Sequence, residues 1–476
     1  MAEVLLLLVS ALLTGYAVLT WAVYRRTRAI FLLVAMVFTG AWSLLGAIPL
    51  LWAKLDDSQY RATYLEGRLY VVRPDSDYLT VIVSYGAFLL ILASVLLVLA
   101  PRISANNPLR LPEWRQLAAR FPHTILLAIV FVALVLQWSD VTARMGGESG
   151  QSLYLSGQAR LDRLSTYLSV GSTIAASLGF ALLLVSNGFR RKARAIWISA
   201  YLGLLLGLYY LTWILGHRRL MLVAVVGLLV AVLTLRESHQ RSRGRQVRVA
   251  FIWIGAWIGF VLVSVTGVTR SKAIGPKLAD NLGVITSTIG DVGSLVTSWL
   301  GTAELYAAHM SLYGVIANSD RIDETSTWAA TYSRYSEIVH APSDQGFTLH
   351  QVTGWWLVVG PFAPLVAGLF VALLVLVLLR VSRSSPLAST GAFALPALSV
   401  SALSIPSLLM RGGPESAWGL LLETLLLPGA VLFVPWLVAL KRVRADEFQS
   451  RTVSGHCERG HIAHPHRLGG LREFSS

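Results

Sequence analysis

Residues 78–100 read YLTVIVSYGAFLLILASVLLVLA, a run from Tyr78 to Ala100 with no Asp, Glu, Lys or Arg. A surface helix of a soluble protein keeps one polar face, whereas this stretch is apolar all round. About 20 apolar residues in a helix rising ~1.5 Å each cover the ~30 Å hydrocarbon core of a bilayer. The run therefore predicts a transmembrane helix. Ten further runs of the same kind lie on either side of it: Ala2 to Tyr24, Ala29 to Ala53, His123 to Trp138, Tyr167 to Gly188, Ile196 to Leu215, Leu220 to Leu235, Val249 to Val268, Trp355 to Leu379, Gly391 to Met410 and Ala417 to Leu440. The expected fold is all-α and polytopic, with about 11 spans.

Composition agrees. Of 476 residues 55% are hydrophobic and only 14% charged, against about 25% charged in an average soluble protein, and the mean hydropathy is +0.62. The single cysteine, Cys457, excludes an intrachain disulfide framework and a cysteine-based zinc site. Ala2 to Tyr24 has no basic stretch before it and is long enough to span, so it is read as a first transmembrane helix and not as a cleaved signal.

The charge, +15 from 40 Lys plus Arg against 25 Asp plus Glu, raises nucleic acid as a partner. Its placement argues for membrane lipids instead. Every second connection is arginine-rich: Arg25, Arg26 and Arg28; Arg102, Arg110, Arg115 and Arg120; Arg190, Arg191, Lys192 and Arg194; Arg236, Arg241, Arg243, Arg245 and Arg248; Arg380 and Arg383; Lys441, Arg442 and Arg444. The intervening connections are mixed or acidic. Lys54 to Asp77 holds four basic and five acidic residues, and Thr269 to Gly354 five and eight. By the positive-inside rule the arginine-rich side is cytoplasmic, with the N-terminus outside and the C-terminus inside. Residues 1–443 form the membrane domain, with one large external segment, 269–354, between spans 8 and 9. Residues 444–476, polar and His-rich, are expected to be a disordered cytoplasmic tail.

Against this frame some charges are anomalous. Arg218 and Arg219, after Gly216 and His217, stand in a short turn on the expected outer side, where guanidinium groups suit an anionic lipid headgroup or pyrophosphate. The competing reading is a turn whose charges are solvated or paired. In 269–354, Arg270 begins the segment, Glu304 and His309 occupy the apolar stretch Leu295 to Ile316, and His350 lies near the end. That stretch reads as an amphipathic or re-entrant helix. Arg334, Glu337 and His340 follow one another at intervals of three, one face of a helix, and bring a carboxylate and an imidazole beside a cation. The same spacing suits a solvated ion pair. Arg411 and Glu415 bracket a Gly-Gly-Pro turn, and Glu423 lies within the last span. No Walker motif or HExxH occurs, and neither metal nor cofactor is expected.

This layout resembles the oligosaccharide repeat-unit polymerases, the Wzy-type O-antigen and capsular polysaccharide polymerases. The resemblance is carried by the Gly216-His217-Arg218-Arg219 turn, by Val268-Thr-Arg270-Ser, and by Gly346-Phe-Thr-Leu-His-Gln leading into the Gly-rich span from Val358 to Gly368. It implies a GT-C-like fold in a bacterial cytoplasmic membrane and a substrate of polyprenyl-pyrophosphate-linked oligosaccharide. Arg218, Arg219, Arg270 and Arg411 would hold the pyrophosphate. Glu337, His340, Glu304 and His350, in that order, are candidates to deprotonate the acceptor hydroxyl, and His217, Arg334, His309 and Glu415 are further contacts. A chain-length regulator and a flippase are the implied partners. An O-antigen ligase or a lipid-linked oligosaccharide flippase remains the alternative.

Overall fold

The computed structural model describes residues 2–45, 47–48, 51, 75–145, 163–186, 191–214, 218–236, 312, 315–316, 350–388, 390–409, 418–419 and 421–459. Among them there are helices and no strand. In order these are α1 (Ala2–Thr27), α2 (Ile30–Leu44), α3 (Asp75–Asn106), α4 (Leu111–Arg120), α5 (His123–Met145), α6 (Arg163–Val185), α7 (Arg191–Ile214) and α8 (Arg218–Arg236). Then come α9 (Gln351–Val359), a 3-10 turn (Gly360–Phe362), α10 (Ala363–Ser382), α11 (Gly391–Ser399), α12 (Ser401–Leu409), a π-helical turn (Leu422–Leu426) and α13 (Leu427–Arg459).

Among the described residues seven stretches are long and apolar enough to cross a membrane: Ala2–Thr27, Ser76–Asn106, His123–Asp140, Tyr167–Val185, Arg191–Leu211, Gln351–Ser382 and Leu422–Asp446. Each coincides with an expected span, and the chain is a membrane protein. Ile30–Leu44 and Leu222–Arg236 are shorter apolar helices at two more expected positions. The expected span Val249 to Val268 lies outside the described residues. Two spans are less regular than their hydropathy suggests. Gly360, at φ +57°, followed by Pro361, separates α9 from α10 with a single 3-10 turn. Gly391 to Met410, expected as one span, is two nine-residue helices that meet at Val400, where the chain keeps helical dihedrals and the Val400 N–H still bonds to the Pro396 carbonyl. The prolines Pro396 and Pro406 have no N–H, so the carbonyls four residues earlier lose their helical bond.

The helices form two groups around α11 and α12. α1, α2 and α3 pack with α9 and α10, while α6 is surrounded by α5, α7, α8 and α13. α11 and α12 lie between the groups, touching α10 and α2 on one side and α8 and α13 on the other. Close approach depends on small residues. A Cβ on Gly368 of α10 would stand 3.3 Å from the Phe88 carbonyl of α3, and one on Gly171 of α6 would stand 3.2 Å from the Leu427 carbonyl of α13.

The basic connections meet at one end of the bundle. Arg383 donates to the Thr27 carbonyl (3.0 Å), and Ser385 donates to Glu113 on α4. Arg120 pairs with Asp446 at 2.6 Å. α4 is amphipathic: Trp114, Leu117 and Ala118 are buried, and the Trp114 ring meets Trp436 of α13 at 5.6 Å while Arg110 and Arg120 face outward. Its Leu111, Trp114 and Leu117 spacing is legible in the sequence, but four arginines nearby mark the segment only as a connection. At the same end α13 continues as helix to Arg459, past Arg444 where the polar tail was expected to begin in disorder; no Gly or Pro occurs between Pro435 and Gly455 to end it. Residues 460–476 lie outside the described residues.

Candidate functional site

At the end of the bundle opposite the basic connections, α8 starts at Arg218. Arg218 and Arg219 thus occupy the first turn of a helix, where unpaired backbone N–H groups favour an anion and disfavour extra cations. Two arginines there raise the positive potential of a site that already attracts phosphate-like groups. α7 ends at Ile214, and only residues 215–217 join the two helices.

On the Arg218 side of Gly179, α5 and α6 bury polar side chains among apolar ones. Leu126 of α5 and Tyr201 of α7 both pack over Gly179 of α6. Counting from this level at ~1.5 Å per residue, Ser172 and Thr173 of α6, Tyr209 of α7, Ser169 of α6 and Gln137 of α5 fall in a zone about 10–16 Å toward the Arg218 end. Ser169, Ser172, Thr173, Ser177 and Gln137 are buried. Ser177 Oγ donates to the Thr173 carbonyl (2.9 Å) and meets the Tyr209 hydroxyl at 3.0 Å. Ser172 Oγ and Thr173 Oγ1 are buried with no hydrogen-bond partner among the described residues. Thr39 and Thr234 share this state, whereas Thr80 and Ser84 bond back to the carbonyls of Ser76 and Thr80 one turn earlier. The Ser169, Thr173, Ser177 series recurs every four residues, which places it on one helical face. The series is legible in the sequence, but serine and threonine carry no charge to mark it as a site.

The π-helical turn Leu422–Leu426 packs against α6, α11 and α12. It holds half-buried Glu423 and buried Thr424. An inserted π residue shifts the following helix by part of a turn and recurs at functional sites. Around the junction of α11 and α12, Ser399 Oγ donates to Leu395 (2.7 Å), Ser404 Oγ to Val400 (2.9 Å) and Ser401 Oγ to the Ala397 carbonyl.

His350 stands where the long segment rejoins the bundle, and it is fully buried. It is the N-cap of α9: Nδ1 accepts from the Val352 N–H at 3.1 Å. Nε2 lies 3.2 Å from Ser43 Oγ of α2. With Nδ1 accepting, the neutral ring carries its proton on Nε2 and donates it to the serine. Tyr85 and Phe88 of α3 meet the ring edge-on at 4.5 and 5.6 Å. This geometry makes His350 a cap that ties α9 to α2 and α3. Its basic nitrogen is occupied, so the general-base role considered for it has no free lone pair in this arrangement.

The other expected site residues are less visible. Arg218 and Arg219 are placed by their backbone alone. Arg270, Glu304, His309, Arg334, Glu337, His340, Arg411, Glu415 and His217 lie outside the described residues. Of the stretch Leu295 to Ile316, Leu312, Val315 and Ile316 are described as helical, and Leu312 joins the apolar core of the bundle. No protein-family model, no curated protein and no solved structure matches the chain.

Proposed function

We propose that the protein is a metal-independent glycosyltransferase of the bacterial cytoplasmic membrane, polymerising polyprenyl-pyrophosphate-linked oligosaccharide repeat units on the outer face. The observation that supports this reading is the start of α8 at Arg218, which makes Arg218 and Arg219 the first residues of a helix at the end away from the basic connections. There they would hold the pyrophosphate and stabilise its departing charge, the role otherwise given to a metal ion. Arg270 and Arg411 would join them. The acceptor hydroxyl would lose its proton to Glu337, His340 or Glu304, its oxygen would bond to the donor's anomeric carbon, and the pyrophosphate would leave with the electron pair. His350 positions the exit of the long segment. The large segment 269–354 provides length for a sugar-binding surface, and the polar zone on α6 provides hydroxyl groups beneath the turn.

A second reading, a lipid-linked oligosaccharide flippase without covalent chemistry, draws on the buried hydroxyls of α6. A ligase would share the lipid donor and differ in acceptor. Deleting the gene and resolving surface glycans by gel separates them. Glycans cut to one repeat unit support the polymerase. Full-length chains left on the carrier indicate a ligase, and repeat units held inside the cell indicate a flippase. Unchanged long glycans would remove all three readings.

A further inference from the structure

At the basic end, two arginines from different helices converge on one backbone oxygen. Arg194 of α7 and Arg236, the last residue of α8, each donate from one terminal guanidinium nitrogen to the Leu184 carbonyl at 2.9 Å. Leu184 lies in the last turn of α6, whose final carbonyls lack helical partners and carry the negative end of the helix dipole. Sharing one acceptor holds the two nitrogens within about 6 Å of each other, where like charges repel strongly unless a counter-charge is shared. The partial charge of one helix end offsets only part of that. Among the described residues neither arginine has a carboxylate partner; Glu237, next in sequence, lies outside them. Each guanidinium has five donors and commits one, leaving both forks able to bind an anion in bidentate fashion. Arg191 and Lys192, exposed at the start of α7, add charge beside them.

The surface next to this pair is built for acyl chains. Along α7, Ile196, Leu202 and Leu206 are exposed at 68%, 46% and 68%. They spread over an outward arc of about 120°, and a Cβ on Gly203, within that arc, would meet nothing within 4 Å. Cationic groups at one end of α7 and exposed apolar side chains further along it suit an amphiphile with an anionic head.

We propose that Arg194 and Arg236, held together on the Leu184 carbonyl, form a binding site for the phosphate headgroup of an anionic phospholipid whose acyl chains lie along Ile196, Leu202 and Leu206. The site lies at the end of the bundle away from Arg218 and is independent of the glycan chemistry. It is tested by native mass spectrometry of the full-length protein released from mixed micelles containing equal amounts of phosphatidylglycerol and phosphatidylcholine. The wild type is expected to retain phosphatidylglycerol preferentially. Arg194→Gln combined with Arg236→Gln is expected to weaken retention about tenfold, consistent with loss of charge-assisted bonds. Arg194→Lys combined with Arg236→Lys keeps the charge without the fork, and is expected to fall between the two while preserving the fold. Equal retention of both lipids by the wild type, or undiminished preference in the glutamine double variant, overturns the proposal. So does saturation of the site by inorganic phosphate in lipid-free detergent with no further gain from phosphatidylglycerol, which would assign a free anion.

Discussion

Replacing His350 by alanine removes three interactions at once, and asparagine restores one of them. The cap on α9 contributes about 1 kcal/mol, and the bond to Ser43 about another 1 kcal/mol. Losing the ring between Tyr85 and Phe88 costs about 2 kcal/mol in contacts and cavity. His350→Ala is therefore expected to destabilise the protein by about 3–4 kcal/mol. His350→Asn keeps a side-chain oxygen in position to accept from the Val352 N–H, so it should recover about 1 kcal/mol of this. Thermal unfolding of the two variants in one detergent, together with the length of the surface glycan in cells expressing each, reads both consequences. The expected order of melting temperature is wild type, Asn, Ala, with glycan length following protein abundance. If His350→Asn melts like the wild type yet abolishes polymer, the imidazole performs chemistry and the capping account fails.

Gly391→Ala would drive a methyl group into the Pro386 carbonyl oxygen and to 2.8 Å from the Trp436 ring, which donates to that carbonyl at 3.0 Å; a loss of about 3 kcal/mol is expected, together with a change in tryptophan emission. Asp446→Asn removes the exposed partner of Arg120, and its melting temperature should hardly move, because such pairs contribute less than about 1 kcal/mol. With Cys457 replaced by serine, a single cysteine at position 150 should react with a membrane-impermeant maleimide applied from outside intact cells, and one at position 240 should not; the reverse pattern would invert the proposed sidedness.

The spans were legible because burial in hydrocarbon demands length and apolarity, and both are written in the order of residues. α3 and α10 are found from that demand alone. The junction at Val400 was less so. Pro396 and Pro406 were visible, but prolines are tolerated in membrane helices when neighbours satisfy the freed carbonyls, and those neighbours come from distant parts of the chain. Sidedness was read from arginine alternation, and the bonds linking Thr27, Glu113, Arg120, Arg383 and Asp446 bring those connections to one end. The site was legible only in its charges. Arg218 and Arg219 stood out, whereas Ser172 and Thr173 did not, since an uncharged hydroxyl looks alike whether it bonds to its own helix or lacks a partner. His350 drew attention as a titratable group; its Ser43 partner, more than 300 residues earlier in sequence, is visible only in three dimensions.

The central claim, that Arg218 and Arg219 hold pyrophosphate for polymerisation, is tested most directly by reconstituting the purified protein in liposomes with polyprenyl-pyrophosphate-linked repeat units and resolving the products. The wild type should yield a ladder of increasing length, and Arg218→Ala and Arg219→Ala should leave the single repeat unit unextended while remaining folded in the bilayer. A ladder of the same length from both variants, or none from the wild type, would contradict it.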